Sequence, residues 1–277
     1  MNRRALLLAL GACACQGTRA PALTFARAAL GVAREVGEAN AAEEQTSLAE
    51  LTRITALAQR ALKQAPLAAP DSVLSRLLFG TLGFAREVTD TNLRFLLLPG
   101  VLRERRGSCV GLGTLFLALS EALGWAGNGV MMPGHFYVRL QSPGKTGGPT
   151  RNVELLHQGE SLPDSWYLRR FPIPSGGERE YGRPLSTRET LGVLQFDVGN
   201  ERRRQHRLPE ARRAYASATA LFPEFAEAHA SLGATLHMLG DLNAAAASYQ
   251  RAQQLNPGLE GLANNFALLE SERGSPF

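Results

Sequence analysis

The chain has 277 residues, with 30 Lys and Arg against 25 Asp and Glu, and is 44% hydrophobic. This composition is globular and excludes a disordered chain, and at ~150 residues per domain the length suits about two domains. Three cysteines are too few for a disulfide framework, and Glu121 breaks the longest apolar stretch before it reaches the ~18 residues of a spanning helix, which excludes a polytopic membrane protein.

In chain order, Asn2-Arg3-Arg4 precedes an apolar block from Ala5 to Ala12 and then Cys13. A basic start before a short apolar run is the pattern of a secretory signal, here residues 1–12. Leu10-Gly11-Ala12-Cys13 resembles a bacterial lipobox, which makes Cys13 the expected lipid attachment site. Removing residues 1–12 leaves 28 basic against 25 acidic residues. Nucleic acid is not an expected partner, because the densest basic cluster, Arg202-Arg203-Arg204 with Arg207, Arg212 and Arg213, is interleaved with Glu201 and Glu210 and lacks aromatics.

Residues 13–46 are Ala-rich and weakly patterned, and read as a linker with one marginal helix. Ser47-Leu48-Ala49-Glu50 reads as a capping box, followed at helical spacing by Leu51, Ile54, Ala58 and Leu62. Asp71 is placed to cap a helix carrying Val73, Leu74, Leu77 and Leu78. Pro99-Gly100 interrupts the next apolar stretch, and Gly107-Ser108 opens a helix from Cys109 to about Gly124. Beyond Trp125 the period falls to two. Phe136, Val138 and Leu140 alternate with His135, Tyr137 and Arg139 as a half-buried strand, residues 141–150 form a Gly/Pro-rich loop, and Arg151 to Leu156 alternates again as its antiparallel neighbour. Residues 172–187, rich in Pro and Gly, read as a linker between a domain at 47–171 and another at 188–277.

The last segment repeats itself at an offset of 34: Gly199 maps to Gly233, Ala211 to Ala245, Tyr215 to Tyr249, Ala218 to Ala252 and Pro223 to Pro257. This ladder resembles tetratricopeptide repeats, in which small residues let paired helices approach and Pro ends each unit. With two full units and one further helix, the array is short for independent stability and is expected to dock on the preceding domain.

The chemistry-bearing residues lie in the first domain. Cys109 stands at a helix start, where unsatisfied N–H groups favour a thiolate. His135 opens a strand after Pro133-Gly134, and Asn152 and Glu154 share one face of the next strand. Converged, they would form a nucleophile, a base and an orienting group, with Glu154 or Asn152 in the third role. A buried core cysteine is the alternative. A zinc site of Cys109, His135, Glu154 and His157 is disfavoured, since no pair has the short spacing of a zinc helix or knuckle; neither metal nor cofactor is expected.

Arg106-Gly107-Ser108-Cys109-Val110-Gly111-Leu112, Leu123-Gly124-Trp125, the run from Gly129 to Arg139, Asn152-Val153-Glu154, and Asn92-Leu93-Arg94-Phe95-Leu96 upstream together resemble the bacterial SirB-like transglutaminase-core family, over about Leu48 to Phe171. The resemblance implies an α+β, papain-like core followed by an all-α repeat domain, with Cys109 as nucleophile, His135 as base and Glu154 as acidic orienter. Transglutaminases generally carry Asp at that third place, and Glu adds one methylene. The expected activity is acyl transfer or amide hydrolysis on a protein or peptide substrate. The expected protein is exported and held at the bacterial envelope through an N-terminal lipid only, with a peptide partner in the repeat groove. The alternative is a non-catalytic envelope scaffold that binds peptides in that groove.

Overall fold

The computed structural model describes residues 23–141 and 150–274. The signal segment, Cys13, Cys15 and most of the loop between the two predicted strands lie outside the described residues. The first departure from the sequence reading comes at the N-terminus. Helix α1 (Thr24–Glu35) buries Phe25, Ala26, Ala29, Leu30 and Ala33, and the Phe25 N–H in its first turn donates to Glu121 Oε2 at 2.9 Å. Helix α2 (Ala41–Gln64) begins at Asn40, whose side chain accepts from Ala42 and Glu43 while Glu43 returns the bond to the Asn40 N–H. The capping box is thus at Asn40, not Ser47; the Ser47 hydroxyl donates to the Glu43 carbonyl at 2.7 Å inside the helix. Over 24–46 the linker reading is corrected. Alanine has the best helix propensity, and a stripe of alanines buries a helix without giving a strong apolar period.

Helix α3 (Pro70–Ser75) runs into a wider turn at Arg76–Thr81. Asp71 sits in its first turn and pairs with Arg151 at 2.8 Å instead of capping it. Pro99 lies in the first turn of helix α4 (Leu98–Glu104), where a missing N–H costs nothing, so Pro99-Gly100 does not interrupt the apolar stretch. Short parallel strands β1 (Ala85–Arg86) and β2 (Arg106–Gly107) then bring the chain to Ser108, whose hydroxyl accepts the Gly111 N–H and caps helix α5 (Cys109–Ala122). Helix α5 is apolar all round, as expected of a central core helix.

Three antiparallel strands follow in the order β3 (Gly127–Met132), β4 (His135–Gln141), β5 (Thr150–Val153). Strand β3 was not visible as an alternation because Gly127, Asn128 and Gly129 blur it. The turn at Pro133-Gly134 needs the positive φ of +66° that Gly134 supplies. Phe136, Val138 and Leu140 join the main core with α5, while Tyr137 packs on the other face with Val130, Met132 and Tyr167 of helix α6 (Asp164–Arg170). The sheet is therefore covered on both faces, and β4 is more deeply buried than its alternation implies. β5 ends earlier than expected, and the chain turns at Leu155–His157 into a 3-10 turn.

Residues 172–187 do not hang as a free linker. The Gly182 and Leu185 N–H groups donate to the Met131 and Gly129 carbonyls at 2.8 Å, so the segment runs along the open edge of β3. Tyr181 and Leu185 enter the core. The repeat helices are α7 (Thr187–Arg204), α8 (Leu208–Leu221), α9 (Ala226–Met238), α10 (Leu242–Leu255) and α11 (Leu262–Gly274). The 34-residue ladder has a direct physical basis: a Cβ on Gly199 or on Gly233 would come within 2.6 Å of the ring of Tyr215 or Tyr249. Leu191, Val193, Leu194 and Val198 of α7 share one core with α1 and α5, whereas α9 to α11 surround a smaller core at Tyr249. Helix α7 thus belongs to both halves. No helix among the described residues is long and apolar enough to cross a membrane.

Candidate active site

Cys109 is the first residue of α5 because Ser108 caps the helix and donates its own N–H to the Phe95 carbonyl at 2.8 Å. Its sulfur is within reach of two backbone N–H donors, those of Val110 and of Phe136, the residue after His135. His135 leaves the β3–β4 turn with its side chain 5% exposed, stacked on Phe171 at 4.4 Å between ring centres and 11° between planes. Its Nε2 lies 2.7 Å from Oε2 of Glu154, which is 1% exposed. An ionised carboxylate can only accept, so Nε2 donates to it, and in the neutral imidazole with that tautomer the lone pair is on Nδ1. Cys109 and His135 border the same cavity, of about 600 Å³, between the sheet and the repeat helices.

The alternative orienter does not reach the ring. Asn152 accepts from Arg139 Nε at 2.8 Å and donates to the Leu162 carbonyl and to Asp164, so both ends of its amide are occupied away from His135. Register explains it: Asn152 pairs with Arg139 on β4, whereas Glu154 lies past the last pair of the ladder, where the chain can swing toward His135. His157 is exposed and meets Trp166 edge-on. Among the described residues no group of three His, Cys, Asp or Glu is placed to hold a metal ion.

The thiol itself departs from expectation. A helix start and two N–H donors favour the thiolate, yet burial, and next the nearby Asp197 carboxyl, push the Cys109 thiol up to about 12. In the resting site desolvation outweighs the helix N-terminus. Burial also holds the Asp197 carboxyl up, to about 7. Asp197 comes from α7 and was not singled out in the sequence. Its one signal was a charge inside the apolar stretch Leu194 to Val198. Tyr167 and Phe171, which wall the imidazole, likewise carried no signal beyond being aromatic.

A helix that opens on a cysteine, packed across a small antiparallel sheet whose histidine is held by a carboxylate, defines an α+β thiol domain joined to helical repeats. The model of the Transglutaminase-like superfamily matches residues 45–191, and the Tetratricopeptide repeat model matches residues 196–260. The chain belongs to the transglutaminase-like superfamily. Repeats of the second kind generally mediate protein–protein interaction. No curated protein matches the chain.

Proposed function

We propose that the protein is a thiol-dependent acyl transferase or amide hydrolase acting on proteins or peptides, with Cys109 as nucleophile, His135 as base and Glu154 as the group that holds the imidazole. The observation that carries this reading is the buried 2.7 Å bond between His135 Nε2 and Glu154, beside a cavity that His135 and Cys109 both border. A thiol with its pKa near 12 is not a standing thiolate, so proton transfer from Sγ to His135 accompanies attack. The new S–C bond displaces the carbonyl π electrons onto oxygen, where a backbone N–H at the start of α5 helps hold the charge. Collapse breaks the C–N bond, and the departing nitrogen takes the proton from His135. Water or an amine then attacks the thioester and gives a proton back to His135, and the thiol is regenerated.

The finer family reading is the SirB-like branch of the superfamily, supported by the motifs around Cys109, His135 and Glu154. Residues 1–13 support export and lipid attachment at Cys13 to the bacterial envelope. Partition of the protein into a detergent phase, lost in Cys13→Ser, tests the anchor. For the thiol the test is iodoacetamide labelling of the full-length protein at Cys109, with Cys109→Ser as control. Labelling slowed by His135→Ala supports the enzyme. An inert Cys109 overturns it in favour of a non-catalytic scaffold using the repeat groove.

A further inference from the structure

Two cavities meet at Cys109. The larger, about 600 Å³, lies under the repeats; the smaller, about 410 Å³, extends past Ser108 toward Asn92. Both fall within the ~300–1,000 Å³ range of ligand sites. Cys109, Gly134, Asp197 and Asn200 border both, whereas His135 borders the larger alone. With Cys109 as the nucleophile, on which the inference rests, this asymmetry sorts the substrates. A leaving group must take a proton from His135 and a resolving nucleophile must give one to it, so both occupy the larger cavity. The acyl group that stays on sulfur has the smaller one.

The charges of the two cavities are handled differently. In the smaller, apart from the shared Asp197, the carboxyls of Glu87, Asp90 and Glu201 each pair with an arginine, Arg106, Arg94 and Arg204 respectively. In the larger, neither Asp197 nor Glu227 has a cationic partner among the described residues; Asp197 meets the Asn200 amide and Glu227 the Tyr181 hydroxyl. Glu260 adds a third carboxyl, and the guanidinium on this wall among the described residues, Arg203, is exposed and engaged with the Tyr215 hydroxyl. Once ionised, which for Asp197 means above about pH 7, a carboxylate facing a partly desolvated wall attracts a cation and repels an anion much more strongly than it would in bulk water.

We infer that Asp197, supplied by the first repeat helix, makes the exchange side of the thiol selective for a positively charged group, so that the preferred substrate is a polypeptide presenting a basic side chain next to the reacting bond. The repeat module is then a wall of the site itself as well as a docking surface. A cation there also offsets the negative charge that opposes the thiolate, so that a fitting substrate favours its own attack.

Methanethiosulfonates of three charges test this on the full-length protein. The thiol forms a disulfide with the reagent's sulfenyl sulfur and methanesulfinate leaves. Modification is counted at Cys109 by peptide mass spectrometry, so the other cysteines do not contribute. Relative to a free small thiol, at pH 8, where Asp197 is ionised, the 2-aminoethyl reagent is expected to outpace the 2-sulfonatoethyl reagent by about tenfold or more at low salt. Asp197→Asn should collapse most of that ratio, and Glu227→Gln part of it. A wild-type ratio equal to that of the free thiol overturns the inference, as does a ratio unchanged in Asp197→Asn. The uncharged methyl reagent separates the two levels: if it labels Cys109 without any charge preference among the others, selectivity alone is wrong. If it fails as well, the nucleophile reading and this inference fall together.

Discussion

Asp197 is kept at a cost to stability, and the cost can be measured. Its carboxyl rises from an ordinary 3.8 to about 7, chiefly through burial, with the Asn200 amide acting in the opposite direction and Glu227 adding repulsion. Below pH 4 the group is protonated both folded and unfolded, and its burial carries no charge penalty. Between pH 4 and 7 the unfolded chain releases the proton while the folded chain still holds it, so stability falls as pH rises, and above 7 the loss is complete. At 1.36 kcal/mol per pH unit the full penalty is ~4 kcal/mol. Solvent reaching Asp197 through the cavity screens part of it and leaves ~1–3 kcal/mol. Asparagine has nearly the same shape and no charge. Asp197→Asn should therefore match the wild type at pH 4 and exceed it by ~1–3 kcal/mol at pH 8. Urea unfolding followed through Trp125 and Trp166 at a series of pH values reads the difference as a shift in midpoint. A variant less stable than wild type at pH 8, or one with the same advantage at pH 4 and pH 8, would refute the reasoning.

Glu154→Ala leaves the His135 ring buried without its partner and should cost ~1–3 kcal/mol while slowing alkylation of Cys109; Asn152→Ala should leave the alkylation rate within about twofold, since that amide serves Arg139 and Asp164 instead. Equal slowing by both would show that the 2.7 Å bond is not what orients the ring. Iodoacetamide labelling of Cys109 should keep rising with pH beyond 9, because the raised thiol yields thiolate only as pH approaches 12; a plateau reached below pH 8 would contradict the desolvated resting site. Gly233→Ala drives a methyl into the Tyr249 ring and should cost ~1–3 kcal/mol by calorimetry, an expectation that a neutral substitution would sink.

What was legible in the sequence was whatever is written in local periodicity. The two pairs Gly199–Tyr215 and Gly233–Tyr249 are identical packing solutions one unit apart, so they leave the same letters at the same spacing. Helix α5 and strand β4 announce themselves because one is apolar throughout and the other alternates. Three features were hidden for separate reasons. Helix α1 is buried through alanines, which weaken an amphipathic pattern even as they permit close approach. The edge segment at 172–187 is held by backbone bonds from Gly182 and Leu185 to β3, and backbone bonding leaves no residue signature. Asp197 meets Cys109 across more than eighty positions of chain, through the docking of α7, and no short window contains both. The raised thiol pKa escapes a local reading for the same reason. The helix start is a local fact, whereas the burial that outweighs it is a property of the assembled fold.

Glutamate at the third position follows from the way β5 ends. Val153 is its last ladder residue, and at Glu154 the backbone bends into the 3-10 turn at Leu155–His157. That turn has an open N–H at Leu156, which Glu154 Oε1 accepts at 3.0 Å, while Oε2 reaches His135 at 2.7 Å. One carboxylate thus caps the turn that positions it and holds the imidazole, and the added methylene gives it the span to do both. An aspartate on this backbone would have to give up either the cap or the ring. Loss of the cap exposes a helix-type N–H, worth ~1 kcal/mol, whereas loss of the ring contact leaves a buried imidazole unsatisfied and free to change tautomer. Glu154→Asp should therefore retain most of the fold and lose orientation first, with Cys109 alkylation slowed more than the unfolding midpoint is lowered. Stability lost with no change in alkylation would mean that the residue is there for the turn, and that His135 is held by its stacking on Phe171 alone.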